Sequence, residues 1–168
     1  MFLTNKYLIA TLVGLALLGG GCKPSNRVTF KPALVSIDVG PGWAVENVPV
    51  RELACTPRLM GKAGMINALA LDKDISDLKT AADQMQTALS STSKAAPDSF
   101  KQESFATDTG LMGIHLSYSA KSDKGDLRSH NFITQNRTGR FVSISYITSP
   151  EVESPAVIAA IQKTLRVE

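Results

Sequence analysis

Cysteine and histidine are scarce in this chain, with two of each among 168 residues. Two cysteines cannot build the multi-bridge framework of a small secreted scaffold, and two histidines with no Cys or His cluster leave no multi-His metal motif. Aromatic residues make up 6%, with a single tryptophan. Charge of one sign is missing too: 18 Lys and Arg stand against 15 Asp and Glu, a net +3 that is too small to point to nucleic acid. The apolar stretches stay short of the ~20 residues that a bilayer-spanning helix needs. The length suits one domain with a real hydrophobic core, since domains usually run to about 100–150 residues.

What is present begins at the N-terminus. Met1 to Lys6 is a short leader with one positive charge, Tyr7 to Leu18 (YLIATLVGLALL) is almost wholly apolar, and Gly19-Gly20-Gly21 leads into Cys22. A charged start, an apolar stretch of about 7–15 residues and small residues before a cut site describe an export signal. Small residues ending on a cysteine resemble the lipobox of bacterial lipoproteins, which implies that the Cys22 thiol receives a diacylglycerol and becomes the new N-terminus. Gly19 stands where that motif usually has Leu, with Leu18 one place further out. An ordinary secretory cut within Gly19–Gly21 and an uncleaved anchor are the other readings. Either would leave two thiols and allow Cys22 to pair with Cys55 in an oxidising compartment. Cleavage ahead of Cys22 removes one lysine and no acid, so the net charge of +3 falls by one. The organisation expected is a signal peptide over 1–21, a lipidated cysteine and tether over 22–34, and one globular domain over 35–168.

Within the mature chain, Val35, Ile37 and Val39 alternate as a strand, and Gly40-Pro41-Gly42 forces a turn. Trp43 opens an extended piece to Val50 in which Pro49 suits a sheet edge; Leu53 to Thr56 reads as a brief strand ended by Pro57. Gly61-Lys62-Ala63-Gly64 lacks the residue order of a phosphate loop, and Met65 to Leu71 (MINALAL) fits a buried strand. From Asp74 to Ser90, Ile75, Leu78, Ala81, Ala82, Met85 and Leu89 recur at helical spacing, with Asp74 placed as the cap.

Alternation then returns. Phe100–Thr107, Leu111–Ala120, Arg128–Asn136 and Phe141–Thr148 read as strands of an antiparallel meander, turning at Asp108-Thr109-Gly110 and Asn136-Arg137-Thr138-Gly139. On the second, Met112, Ile114, Leu116 and Tyr118 are expected on a core face, with Gly113, His115, Ser117 and Ser119 facing water. Ser154-Pro155 starts a closing helix striped by Val157, Ile158, Ile161 and Leu165. The layout predicts an α+β fold, a curved antiparallel sheet covered by a central and a C-terminal helix.

The Gly42-Trp43 pair, the central helix, the segments Gly110-Leu111-Met112-Gly113 and Arg140-Phe141-Val142-Ser143-Ile144-Ser145-Tyr146, and the helix from Ser154 together resemble the PsbP-like superfamily, which includes the DcrB-like bacterial lipoproteins. The resemblance implies a domain that binds other proteins or assists envelope assembly, and it brings no shared catalytic residues.

Candidate chemistry is sparse. Cys55 has Arg51 and Arg58 near it in sequence but no local histidine, and reads as a buried small hydrophobe. His115 and His130 fall on neighbouring strands. They share a face only if the pairing sum is odd, with the turn centred between Asp123 and Lys124, and loop length does not decide this. Arg128, His130, Arg137 and Arg140, with Lys121 and Lys124, are candidates for a basic interaction edge suited to anionic headgroups or an acidic partner. Asn136-Arg137-Thr138 matches a glycosylation sequon that reads as turn chemistry. No cofactor, metal or nucleic acid is expected. The function expected is that of a non-catalytic, lipid-anchored envelope protein facing the periplasm. It would contact the membrane through its lipid and bind a protein partner. The alternative is a small exported hydrolase or ligand-binding enzyme using the sheet face near His115, Ser117 and His130.

Overall fold

The computed structural model describes residues 26–50, 53–72, 74–92 and 94–168. Along the chain run β1 (Arg27–Phe30), β2 (Val35–Asp38), β3 (Trp43–Val50), β4 (Leu53–Gly61), β5 (Gly64–Ala70), α1 (Leu78–Thr92), β6 (Lys101–Ala106), β7 (Met112–Ser122), β8 (Gly125–Gln135), β9 (Phe141–Thr148), α2 (Pro155–Thr164) and β10 (Arg166–Val167). The meander β6 to β9 forms by consecutive hairpins, and β5, β4 and β3 add to it beyond β9, giving an open seven-stranded sheet in the order β3-β4-β5-β9-β8-β7-β6. Every pairing in it is antiparallel. The fold is therefore α+β, as the alternation predicts. Cys22 lies outside the described residues, as does the side chain of Cys55.

Two layers cover this sheet. On one face α1 lays Ala81 and Ala82, with Leu78, Met85 and Leu89 beside them, onto Leu116, Ile133 and Phe141. On the other, α2 and a three-stranded sheet in the order β1-β2-β10 bury Phe30, Val35, Ile37, Val157, Ile161 and Leu165 against Ile66, Phe132, Ile144 and Tyr146. Burial on both sides corrects the expectation for β7: Gly113 and His115 face the second core, and His115 is only 7% exposed. Antiparallel strands with a solvated face need that face left open, and here α2 and the small sheet close it.

Three boundaries differ from the sequence reading. Arg27 to Ala33, inside the span assigned to the tether, already belong to the fold, because β1 pairs with β2 and places Phe30 and Ala33 in the core. Strand β4 runs through Pro57 to Gly61; pairing with β5 starts only at Leu59, so Pro57 sits where the strand has an open edge and proline is tolerated. Helix α1 starts at Leu78, and its cap is Asp77 in place of Asp74. Asp77 accepts hydrogen bonds from the Thr80 N–H (2.8 Å) and the Thr80 hydroxyl (2.7 Å). These bonds, the backbone one foremost, hold the Asp77 carboxyl down to about 2.

Both edge strands of the large sheet carry an aromatic ring set over a glycine of the next strand. Trp43 of β3 is paired with Gly61, and Phe105 of β6 with Gly113. A Cβ on Gly61 would lie 3.0 Å from the Trp43 ring, and one on Gly113 would lie 2.4 Å from Phe105 and 2.8 Å from the Ile133 carbonyl oxygen. The missing side chain is the space that the ring fills. Because the Ile133 carbonyl belongs to the sheet backbone, it has little room to yield. Gly113→Ala is expected to lose about 1–3 kcal/mol by overpacking, read as a lower urea midpoint with an unchanged m-value.

Candidate functional site

Ser122 pairs with Gly125 across the β7–β8 turn, so the turn is centred between Asp123 and Lys124 and the pairing sum is odd. His115 then opposes Phe132 while His130 opposes Ser117, which sets the two histidines diagonally on one face. The face is the inner one, toward α2. His115 Nε2 and His130 Nδ1 stand 3.0 Å apart, and His130 Nε2 lies 2.8 Å from Oε1 of Glu153, in the loop before α2. An ionised carboxylate only accepts, so neutral His130 carries its proton on Nε2 and donates it to Glu153. Its Nδ1 is then the acceptor for the Nε2–H of His115. The bonding network thus sets both tautomers.

These rings belong to a row that crosses the sheet. Trp43 meets Tyr146 edge-on at 6.3 Å, Tyr146 stacks on His130 at 5.7 Å, His130 on His115 at 5.2 Å, and His115 on Phe132 at 4.6 Å. The Tyr146 hydroxyl donates to the Ala63 carbonyl (2.8 Å) and accepts from the Ser154 N–H (3.2 Å), fixing the start of α2. Ser154 itself precedes the helix without a side-chain cap bond. Neither histidine is a solvent-face residue: they are 7% and 6% exposed. Burial, followed by the neighbouring His130, pushes His115 down to about 4; burial also lowers His130, opposed by Glu153.

The candidate basic residues do not converge. Arg128 and His130 lie toward the β7–β8 turn, where Arg128 hydrogen-bonds Ser119 and stands 4.0 Å from Glu153. Arg137 and Arg140 lie at the β8–β9 turn, at the other end of β8. Arg140 is also committed, its Nε donating to the Leu71 carbonyl at 2.8 Å. Asn136 turns inward: its Oδ1 accepts from Thr138 N–H (3.0 Å) and Arg140 N–H (3.1 Å), and its Nδ2 donates to the Ala33 carbonyl (3.1 Å). Asn136 of the sequon is thus a buried turn lock.

A His–His–carboxylate chain can relay a proton or hold two layers in register. A hydrolytic role needs a nucleophile bonded to the relay and a concavity at its end. The Ser117 hydroxyl makes no hydrogen bond to either histidine side chain. A cavity of about 330 Å³ opens further along the strands, against Ser119 and Arg128, and neither histidine lines it. Among the described residues no group of three or more His, Cys, Asp and Glu side chains is arranged to hold a metal ion. Glu153 is the residue that sequence reasoning missed; its only signal was its place just ahead of Ser154-Pro155.

No family model matches the chain, and no curated protein matches it. Among solved structures it is similar to the cyanobacterial PsbP (CyanoP) of Synechocystis sp. PCC 6803, with a TM-score of 0.59 and 12% identity over 92% of this chain and 99% of that one. At that identity the likeness is one of fold, and the fold is PsbP-like.

The buried histidines make stability depend on pH with a definite sign. Between the ordinary histidine value of 6.5 and about 4 the unfolded chain binds protons that the folded chain refuses, so stability is present above 6.5 and falls as the pH falls through this window. Urea midpoints are expected to drop between pH 7 and 5, with a total cost of about 1–3 kcal/mol by the bottom of the window. His115→Phe, which keeps the stack on Phe132, should flatten that slope; an undiminished slope would refute the assignment.

Proposed function

We propose that this chain is a lipid-anchored protein of the bacterial cell envelope, facing the periplasm, whose domain binds a protein partner or assists assembly at the membrane surface without performing catalysis. The observation that carries the reading is the apolar run Tyr7–Leu18 followed by Gly19-Gly20-Gly21-Cys22, with strand β1 already formed from Arg27. So short a separation suits a domain held against its anchor. Among the described residues no helix is long and apolar enough to cross a membrane, which leaves attachment to the N-terminal segment in this reading. The acyl chains would confine the domain to the bilayer surface and raise its effective concentration toward membrane partners.

The inner-face polar groups support a non-catalytic role. His115, His130 and Glu153 satisfy one another between two packed layers, which is the arrangement of a structural network. The competing hydrolase reading would need those groups to meet a substrate.

Cys22→Ser tests the anchor. The wild-type protein is expected to sediment with membranes and to carry a mass above that of the polypeptide beginning at Cys22, by the added lipid. The variant should lose the lipid mass and the membrane partition; a wild-type protein without added mass would overturn the proposal. Crosslinking in intact cells, followed by identification of the linked chain, then tests for a stable protein partner.

A further inference from the structure

The described chain begins at Asn26, and Asn26 lines a groove of about 360 Å³ together with Val28, Val39, Pro41, Trp43 and Val45. We propose that this groove rests on the bilayer surface, with the Trp43 ring at headgroup level; the assignment rests on lipidation of Cys22.

Three observations lead there. The first is reach. Only Lys23, Pro24 and Ser25 separate Cys22 from Asn26, and an extended chain advances at most about 3.6 Å per residue, so the lipidated residue stays within roughly 14 Å of the groove. A domain held that closely must turn some part of its surface near Asn26 toward the lipid.

The second is composition. Val45 is 54% exposed, Pro41 is exposed, and Trp43 is only partly covered. Trp is the side chain whose apolar body and polar N–H suit a membrane–water boundary. Its ring is already held, seated over Gly61 and edge-on to Tyr146, so lipid contact orders little that is not ordered beforehand.

The third concerns the other occupant that this place could take, a partner strand adding to the open edge of β3. Pro49 and the register shift between Val48 and Val50 interrupt the second half of that edge and leave a partner strand only the short run Trp43–Val48, which discourages strand addition. A bilayer surface needs no unbroken ladder.

Trp43 is the sole tryptophan, so its emission reports on this groove alone. The full lipidated protein is reconstituted into phosphatidylcholine vesicles with and without lipid carrying a spin label near the headgroup. Flotation of the vesicles reports the anchor and fluorescence reports the orientation. Emission is expected to fall by about half with the labelled lipid, consistent with shallow insertion. The double variant Trp43→Phe/Arg137→Trp puts the reporter on the exposed β8–β9 turn, at the far end of the large sheet from the Gly61–Gly64 hairpin, and should keep its emission. Val45→Asp should weaken the quenching at Trp43 without releasing the protein from the vesicles. A protein that floats with vesicles yet shows Trp43 unquenched, or quenched no more than the reporter at position 137, overturns the groove assignment alone. Failure to float overturns the anchor and the assignment together.

Discussion

Burial of the large sheet on both faces is the constraint from which the rest of this structure follows. The stretch Ser129 to Thr134 of β8 is buried throughout, and so is nearly all of β9: Ile133 and Ser143 turn to the α1 side, and Phe132 and Ile144 to the α2 side. A polar side chain there must find its partner inside the protein, since an unmet donor or acceptor costs about 1–3 kcal/mol. On the α1 side Ser145 donates to Asn131 Oδ1 at 2.8 Å, and Asn131 donates to the Leu116 carbonyl at 3.2 Å. On the α2 side the two histidines and Glu153 do the same. The imidazoles are thus tied to the loop that starts α2, and the chemistry of the inner face is inseparable from the docking of that helix. The hydroxyl of Ser143 departs from the rule, being buried with no partner.

This also explains what could be read in advance. Helix α1 and its stripe, the meander, the turn at Asn136–Gly139 and the closing helix were all legible, because apolar spacing and turn chemistry act locally. The parity argument for His115 and His130 reached the right pair of alternatives, and only the turn, centred between Asp123 and Lys124, could choose between them. What sequence could not reveal was the second cover on the sheet. Residues Arg27 to Ala33 fall in the tether span although Val28 and Phe30 alternate as in a strand, because Pro32 interrupts that alternation; the same proline sits in the short turn Lys31–Ala33 that returns the chain from β1 to β2. With that layer overlooked, the polar face of β7 reads as solvated. Glu153 was invisible for the same reason: its partner, His130, lies on a strand 23 residues earlier.

The basic residues teach a related lesson about distance. Arg128, Arg137 and Arg140 look clustered along the chain, but β8 carries its two turns to opposite ends of the sheet. Arg128 is moreover bound to Ser119 and near Glu153, and Arg140 to the backbone at Leu71. These two charges are engaged locally, while Arg137 stays exposed on its turn. Among the described residues, the large apolar side chains left more than half exposed are Val45 on the edge strand β3, Leu69 on β5 and Met112 at the start of β7.

Strand β2 is flanked by the first strand of the fold on one side and by the last on the other. Arg27 donates to Ser36 (3.0 Å) and to the Thr164 carbonyl (3.0 Å), and Ser36 donates to the Glu168 carboxylate. The two ends of the domain are therefore fastened to each other through one short strand. A chain emerging from its amino end can form the meander early, but the inner layer lacks Ile161 and Leu165 until α2 arrives. Assembly of this domain thus waits for α2 and β10, and β10 docks on β2, across from the strand with which the described chain opens.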